Sequence, residues 1–568
     1  MYGYTITING KIQTMPGDIC FNNIVCSNKM IQKFEQDKLF VETGEYIVLL
    51  DGFVLNRKQI TASVLNDSEE MMPWHKVLIK LYEAKGETFF SELRGSFSGA
   101  LYDKEANKWI IFGDQIGSKF TFYAKVGNFF CVAEEMGYMF KMMKDNGIIF
   151  TLSTDGAYLL LTFGFMIEDK TLCEQVKKIQ PGCYIVYENN EVTEKRYYTL
   201  DNTFDSSITE KDAVEIVDEY FRKAVERVFT KDTECGYEHI CALSGGLDSR
   251  MTSLVAHDLG FTKQLNYTFS QTDFLDESIP KMIASDFKHE WIFKALDNGL
   301  WLYAVDDITK HTGGNVLYYG SAHSNSIYRL LNFDTLGIIH TGQISGGLNG
   351  SSVSKYDESF KLFDYRKAMY STKYFDQVKH MLTQQLNQEL GWYYYRCLNG
   401  TCYGTQIIYN YTESYSPFLD IDFLDHLLRI PITYRMGSHL YKEWILEKYP
   451  LAAKYEWAKT GKKLDTPSLQ IGNREIPWAN VPKSIKAHIR VFLGKKENPN
   501  SRKGMNPIAY YLAHNEELRD FLYDYFIYAE AIPDSTLRDN VQEILQNGTA
   551  MEKIQVVSLL AAIKLFFV

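Results

Sequence analysis

The segment Leu243-Ser244-Gly245-Gly246-Leu247-Asp248-Ser249 has the make-up of a phosphate-binding turn. Two adjacent glycines let main-chain N–H groups approach an anion with no Cβ in the way. Ser244 and Ser249 can donate hydroxyl hydrogen bonds, and Asp248 can hold a Mg²⁺ that offsets phosphate charge. A Gly-rich turn without a ligand is the competing reading, and a lone Ser-Gly-Gly would leave it ahead. The flanking pattern decides for phosphate. Residues 239–243 read as an apolar strand and 251–259 as a helix ending at Gly260, so the turn opens a helix whose first N–H groups and dipole favour an anion. His289 and His340 also stand near strand ends, where a satisfied core or surface histidine is the commoner case than a catalytic base.

The elements that must carry this turn follow from periodicity. Before residue 202 the chain reads as strands and hairpins: 46–50 closed by Asp51-Gly52, then 97–102, 109–112 and 129–133, with one helix at 75–84. After it, Val214, Val217, Phe221, Ala224, Val225 and Val228 recur at helical spacing behind a capping pair, Thr209 and Asp212. Strands at 239–243, 265–269 and 337–340 then alternate with helices at 251–259 and 279–287, the signature of a parallel sheet covered by helices. The expected division is 1–205, 206–484 and a helical extension 485–568, whose early part holds a basic loop from Lys495-Lys496 to Arg502-Lys503.

Bulk properties narrow the partners. With 568 residues the chain is too long for one core. A net charge of −11 argues against nucleic acid. Nine cysteines with no Cys-x-x-Cys pair argue against a disulfide framework or zinc site and for thiols in a reducing cytoplasm. No signal peptide is visible. The longest apolar stretch, 556–568, is interrupted by Lys564 and is too short to span a membrane, so it reads as a core helix.

The turn resembles the pyrophosphate loop of the ATP-pyrophosphatase superfamily, and other segments narrow this to asparagine synthetases and their relatives. Arg94 to Asp103, the Asp114-x-x-Gly117-x-Lys119 turn, Ala133-Glu134-Glu135, Ile179-Gln180-Pro181-Gly182, and Glu413 with Ser416-Pro417-Phe418-Leu419-Asp420 are similar to that family's motifs and occur in its order. The resemblance implies an α+β N-terminal domain, an Ntn-type αββα sandwich, followed by an α/β adenine-nucleotide α-hydrolase-like (PP-loop) domain with a helical extension. It implies ATP and Mg²⁺ as cofactors. Ser244, Gly245, Gly246 and Ser249 would take pyrophosphate and Asp248 the metal. Leu243, Phe269 and Gly342 would line an adenine pocket. Glu277 stands where the family has an acid. Lys459, rather than Lys462, would be the cation that stabilises the transition state.

The same comparison exposes departures. The family's N-terminal cysteine nucleophile is replaced by Tyr2, whose phenol is no substitute for a thiolate at neutral pH. Asp51-Gly52-Phe53 replaces the glutamine-gripping Asn-Gly-Glu, and Trp74 stands near a further ammonium ligand. Asn56 alone matches, as the oxyanion residue. In the second domain Gly346 and Gly347 occupy the places of two acids, one a Mg²⁺ ligand. The window 311–327 lacks the arginine that grips aspartate.

These features lead to an expected ATP-dependent, AMP- and pyrophosphate-forming amide or lactam ligase without glutaminase activity. It would join a small-molecule or peptide carboxylate to ammonia or a substrate amine, as β-lactam synthetases and lasso-peptide cyclases do. An inactive pseudoenzyme or binding protein, and an ammonia-using asparagine synthetase, are the alternatives. A homodimer is compatible with the resemblance.

Overall fold

The computed structural model describes residues 2–11, 14–65, 72–350, 353, 361–471, 474–477 and 499–568. The first part builds two six-stranded antiparallel sheets. Its strands are β1 Tyr4–Ile8, β2 Ile19–Phe21, β3 Ile24–Asn28, β4 Leu39–Glu42, β5 Tyr46–Val54, β6 Gly95–Asp103, β7 Lys108–Gly113, β8 Phe122–Val126, β9 Phe129–Ala133, β10 Val176–Lys178, β11 Cys183–Glu188 and β12 Glu191–Arg196. One sheet runs β10-β8-β9-β1-β3-β2 and the other β12-β11-β7-β6-β5-β4.

Side-chain alternation decides how they pack. On β5, Ile47 and Leu49 face an inner core shared with Tyr4, Ile6 and Val132 of the other sheet. Val48 and Leu50 point the opposite way, against Val77, Leu78 and Leu81 of a helix. Helices α1 Arg57–Val64 and α2 Trp74–Lys85 thus cover one outer face, while α3 Met136–Asp145 and α4 Thr154–Phe163 lie on the other side. The result is the expected four-layer αββα sandwich.

The strand β5 runs through Asp51-Gly52 and does not turn there. Its register continues to Val54 opposite Gly95, with Gly52 opposite Phe97. Gly52 has φ 102°, and a Cβ there would stand 2.1 Å from the Ser96 carbonyl oxygen. An Asp-Gly pair favours a turn in isolation, but here the glycine serves a close approach of two backbones within the sheet.

The second part is a five-stranded parallel sheet ordered β15-β14-β13-β16-β17. Its strands are β13 Glu238–Ala242, β14 Gln264–Ser270, β15 Glu290–Ala295, β16 Leu336–His340 and β17 Ser414–Tyr415. Helix α5 Glu210–Glu234 leads in, started by the Thr209–Asp212 capping box. Helices α6 Asp248–Asp258, α7 Leu275–Phe287, α8 Val305–Thr312 and α9 Tyr318–Tyr328 provide the crossovers. The chain adds β14 and β15 on one side of β13 and β16 and β17 on the other. The carboxyl ends of β13 and β16 therefore form a topological switch point, where open α/β sheets bind ligands.

The C-terminal part is helical. Its last α-helix, Ala550–Ala562, is buried, and Gln555 Nε2 donates to the Leu160 and Leu161 carbonyls of α4 at 3.0 and 2.9 Å. All nine cysteines are free. Among the described residues no helix is long and apolar enough to cross a membrane. Position 485, Lys495 and Lys496 lie outside the described residues.

Candidate active site

The phosphate-type turn sits at the switch point, between the end of β13 and the start of α6. Its serines are cross-bonded: Ser244 N donates to Ser249 Oγ at 2.9 Å, and the two hydroxyls are 3.0 Å apart. Gly246 N donates to Ser244 Oγ at 3.2 Å. Gly245 N is taken by Asp276 Oδ1 at 2.9 Å, and a Cβ on Gly245 would stand 2.7 Å from that of Ala458. Gly342, after β16, packs backbone to backbone on α6: its Cβ would meet the Asp248 carbonyl carbon at 2.2 Å.

Leu243, Ser244, Gly246, Asp248, Ser249, Phe269 and Gly342 line one cavity of about 520 Å³. Gly245 is not part of this lining and packs against Asp276 and Ala458. The acid in contact with the turn is Asp276. Its neighbour Glu277 accepts from Asp273 N at 2.7 Å and closes the start of α7.

Asp248 is half-buried, and its Oδ1 accepts from Tyr441 Oη at 3.0 Å. Burial pushes its carboxyl above the usual range, partly offset by hydrogen bonds from Ser345 and Tyr441 and by the charge of Lys459. Lys459 itself is exposed, with Nζ 4.9 Å from the Trp457 ring. The backbone beside it is fastened to the turn. Ala458 N donates to Gly245 O at 3.0 Å, and Arg250 Nη2 bridges Gly245 O at 3.3 Å to Glu456 O at 2.6 Å. Arg250 Nη1 adds the Ala452 and Tyr455 carbonyls at 3.1 and 3.4 Å. This buried arginine carried no signal in the sequence beyond following the turn.

Gly346 and Gly347 open the short helix Gly346–Asn349. A Cβ on Gly347 would stand 2.2 Å from Tyr393 Oη, and Gly347 O accepts from Arg435 Nη1 at 2.7 Å. Tyr393 thus fills the space a side chain at 347 would need. Ser244, Ser249 and the first turn of α6 are the groups that would hold a polyphosphate, and Asp248 the acid that would hold Mg²⁺.

Other lining residues were not foreseen: His323, Ser324, Tyr319, Tyr370, Arg396 and Thr405. Burial pulls His323 down to about 4, so it is neutral at physiological pH. His289 and His340 are engaged elsewhere: His289 with Asn266 Oδ1 at 2.9 Å and His257 Nδ1 at 2.8 Å, His340 with Asp232 Oδ2 at 2.7 Å.

The residues around the N-terminal pocket fill it. Tyr2 is buried and donates to Gln406 Oε1 at 3.1 Å, with its ring 5.4 Å from that of Tyr409. Burial, then Glu135, raises its phenol well above the ordinary value. Phe53 packs between Phe34 and Tyr415. Trp74 Nε1 donates to Asp37 O at 3.1 Å. Asn56 spends its amide on the backbone, accepting from Arg94 N at 2.9 Å and donating to Glu92 O at 2.8 Å.

Beside them lies a buried charge network that joins the two parts. Lys119 Nζ lies 2.6 Å from Asp51 Oδ2 and 3.0 Å from Glu413 Oε2. Lys38 contacts the same two carboxylates at 2.9 and 3.1 Å. Burial works to raise Asp51, but Lys119 and Lys38 outweigh it and hold the carboxyl below its usual range. Burial and the Asp51 charge push Glu134 well above its usual range, so this carboxyl stays protonated. Two cations, two anions and a neutral acid leave the cluster balanced.

Residues 31–198 match the glutamine amidotransferase domain family. A stretch of 91 residues is 33% identical to asparagine synthetase (glutamine-hydrolyzing) 2 of Bacillus subtilis strain 168, covering 16% of this chain and 12% of that protein. Among solved structures, the glutamine phosphoribosylpyrophosphate amidotransferase of Bacillus subtilis with ADP and GMP overlaps 51% of this chain and 59% of its own, at 10% identity and a TM-score of 0.24. A structure of the allosteric regulatory enzyme of purine biosynthesis overlaps 51% of this chain and 74% of its own, at 9% identity and a TM-score of 0.25. Residues 31–198 thus match a glutamine amidotransferase domain, and a stretch of 91 residues is similar to a small part of an asparagine synthetase.

Proposed function

We propose that the protein is a cytosolic, ATP-dependent ligase that activates a carboxylate and passes it to an amine, and that its first domain has no glutaminase activity. The observation that carries this reading is the cavity at the switch point, with Ser244, Gly246, Asp248, Ser249, Phe269 and Gly342 on one wall. A carboxylate oxygen of the acceptor attacks the α-phosphorus of ATP, and the bond to the pyrophosphate oxygen breaks. Ammonia or a substrate amine then attacks the acyl carbon, AMP departs with its oxygen, and the amine proton passes to solvent. Ser244, Ser249 and the first turn of α6 would hold the departing pyrophosphate. Mg²⁺, held by Asp248 with phosphate and water oxygens, would offset their charge. Lys459 is proposed to offset charge on the reacting centre, reached through the segment that Arg250 and Ala458 tie to the turn. The division at residue 205 belongs to the same reading.

Tyr2, Phe53 and Trp74 support the silent first domain, since each replaces a group that glutamine hydrolysis needs with a buried aromatic ring. No glutamate release above a heat-killed control is expected.

The test is ATP–pyrophosphate exchange with Mg²⁺ and pooled carboxylates. Exchange that vanishes in Asp248→Ala supports the ligase. Absence of both exchange and ATP binding overturns it in favour of a pseudoenzyme. The Tyr393 hydroxyl standing where a residue-347 side chain would go is the feature that favours this second reading.

A further inference from the structure

Strand β15, Glu290–Ala295, ends the parallel sheet, and among the described residues no backbone group pairs with its outer edge. Each of its residues is exposed or half-buried. The inner edge is fixed by Leu296 N, which donates to Ser270 O of β14 at 2.9 Å. Counting back in steps of two, residues 294, 292 and 290 turn their N–H and C=O groups to β14 as well. Trp291, Phe293 and Ala295 therefore turn theirs outward. A row of unpaired backbone groups of this kind is a template for another strand.

The side chains along this edge are self-complementary. Glu290, Trp291, Ile292, Phe293 and Lys294 run acid, aromatic, aliphatic, aromatic, base. Neither Glu290 nor Lys294 has an ion-pair partner among the described residues. At about 13 Å apart along one strand they cannot pair with each other. A second copy laid antiparallel about a two-fold axis through Ile292 sets Glu290 opposite the copy's Lys294 and Trp291 opposite the copy's Phe293. The outward backbone groups of Trp291 and Phe293 then meet as a hydrogen-bonded pair, and Ile292 meets itself as a non-hydrogen-bonded one. Charge selects this register. An axis through Trp291 would oppose Lys294 to Lys288, and one through Phe293 would oppose Glu290 to Leu296. The aromatic pair is already ordered: Trp291 Nε1 donates to Thr268 Oγ1 at 3.0 Å, and its ring lies 5.7 Å from that of Phe293. Little side-chain freedom remains to be lost on contact.

We propose that β15 is the contact of a symmetric dimer, in which the five-stranded sheets of two copies join edge to edge. None of these residues lines the switch-point cavity, so the inference does not depend on the ligase reading.

Sedimentation equilibrium of the full chain is the test, and the parent is expected to be a dimer. Glu290→Lys sets like charges opposite each other at both ends of the contact, and Lys294→Glu does the same with the other sign. Each should raise the dimer dissociation constant about ten-fold or more. Mixed in equal amounts, the two variants should recover the dimer, because opposite charges meet again in the mixed pair. A chain carrying both substitutions should recover it too. Recovery of either kind separates a lost contact from a lost fold. Phe293→Pro removes an outward N–H and no bond to β14, and should give a monomer. A monomeric parent would overturn the proposal and leave this edge to solvent or to a strand of another protein. A dimer that both charge variants retain, or that mixing them fails to restore, would overturn it as well.

Discussion

Tyr441 Oη donates to Asp248 Oδ1 at 3.0 Å, so the one acid that opens α6 is held by a buried phenol from a helix nearly two hundred positions later. This hydrogen bond favours the charged carboxylate against the burial that raises it.

Tyr441→Phe keeps the packing and removes that bond. Asp248 then holds its proton to higher pH. The acidic limb of the pyrophosphate-exchange profile should move up by about one pH unit, the equivalent of a charged hydrogen bond of about 1.5 kcal/mol. A limb that stays in place would show that Asp248 does not control it.

Glu134 makes stability depend on pH. Its folded carboxyl holds a proton that the unfolded chain has lost above its ordinary value. The stabilisation is complete below that value and is lost as pH rises towards the folded one, by about 1.4 kcal/mol per pH unit. Glu134→Gln carries no such loss. The melting temperature of the variant relative to the parent should therefore climb as pH rises above the ordinary carboxylate range. A constant offset across that rise would contradict the protonated acid.

Arg250→Met should destabilise by about 3 kcal/mol, because the Ala452, Tyr455 and Glu456 carbonyls lose the guanidinium and Gly245 O keeps only Ala458 N. The KM for ATP should rise with it, since Gly245 and residues 452–456 come apart. Arg250→Lys should recover little, because an ammonium cannot reproduce the fork. Denaturant unfolding and exchange kinetics read both effects.

Gly347→Ala should cost about 1–3 kcal/mol, since its new methyl group meets the Tyr393 hydroxyl. Tyr393→Phe in the same chain should return part of the loss, measured as a double-mutant cycle. Equal costs in both backgrounds would place the strain elsewhere.

What could be read from the sequence was contiguous. The turn from Ser244 to Ser249 lies in six adjacent residues between a clear strand and a clear helix, and both elements form there. The Thr209–Asp212 cap is local in the same way. Arg250, Asp276, Tyr441, His323 and Arg396 were missed because their roles are contacts between segments far apart in the chain, with no local pattern. Lys119 and Glu413 were legible as motif members, but that they meet around Asp51 was not. Asp51-Gly52 was misread for the opposite reason, since the local turn preference lost to nine cross-strand pairs with β6.

Phe165 pairs with Val316 in an isolated bridge, Met166 N donates to Asn315 O at 3.0 Å, and Leu317 N donates to Gly164 O at 3.0 Å. Gly164 and Phe165 also line the cavity at the switch point. The first domain therefore supplies masonry for its neighbour's cavity. Shedding the first two hundred residues would leave the downstream cavity with an open side, which gives the first domain a structural reason to persist.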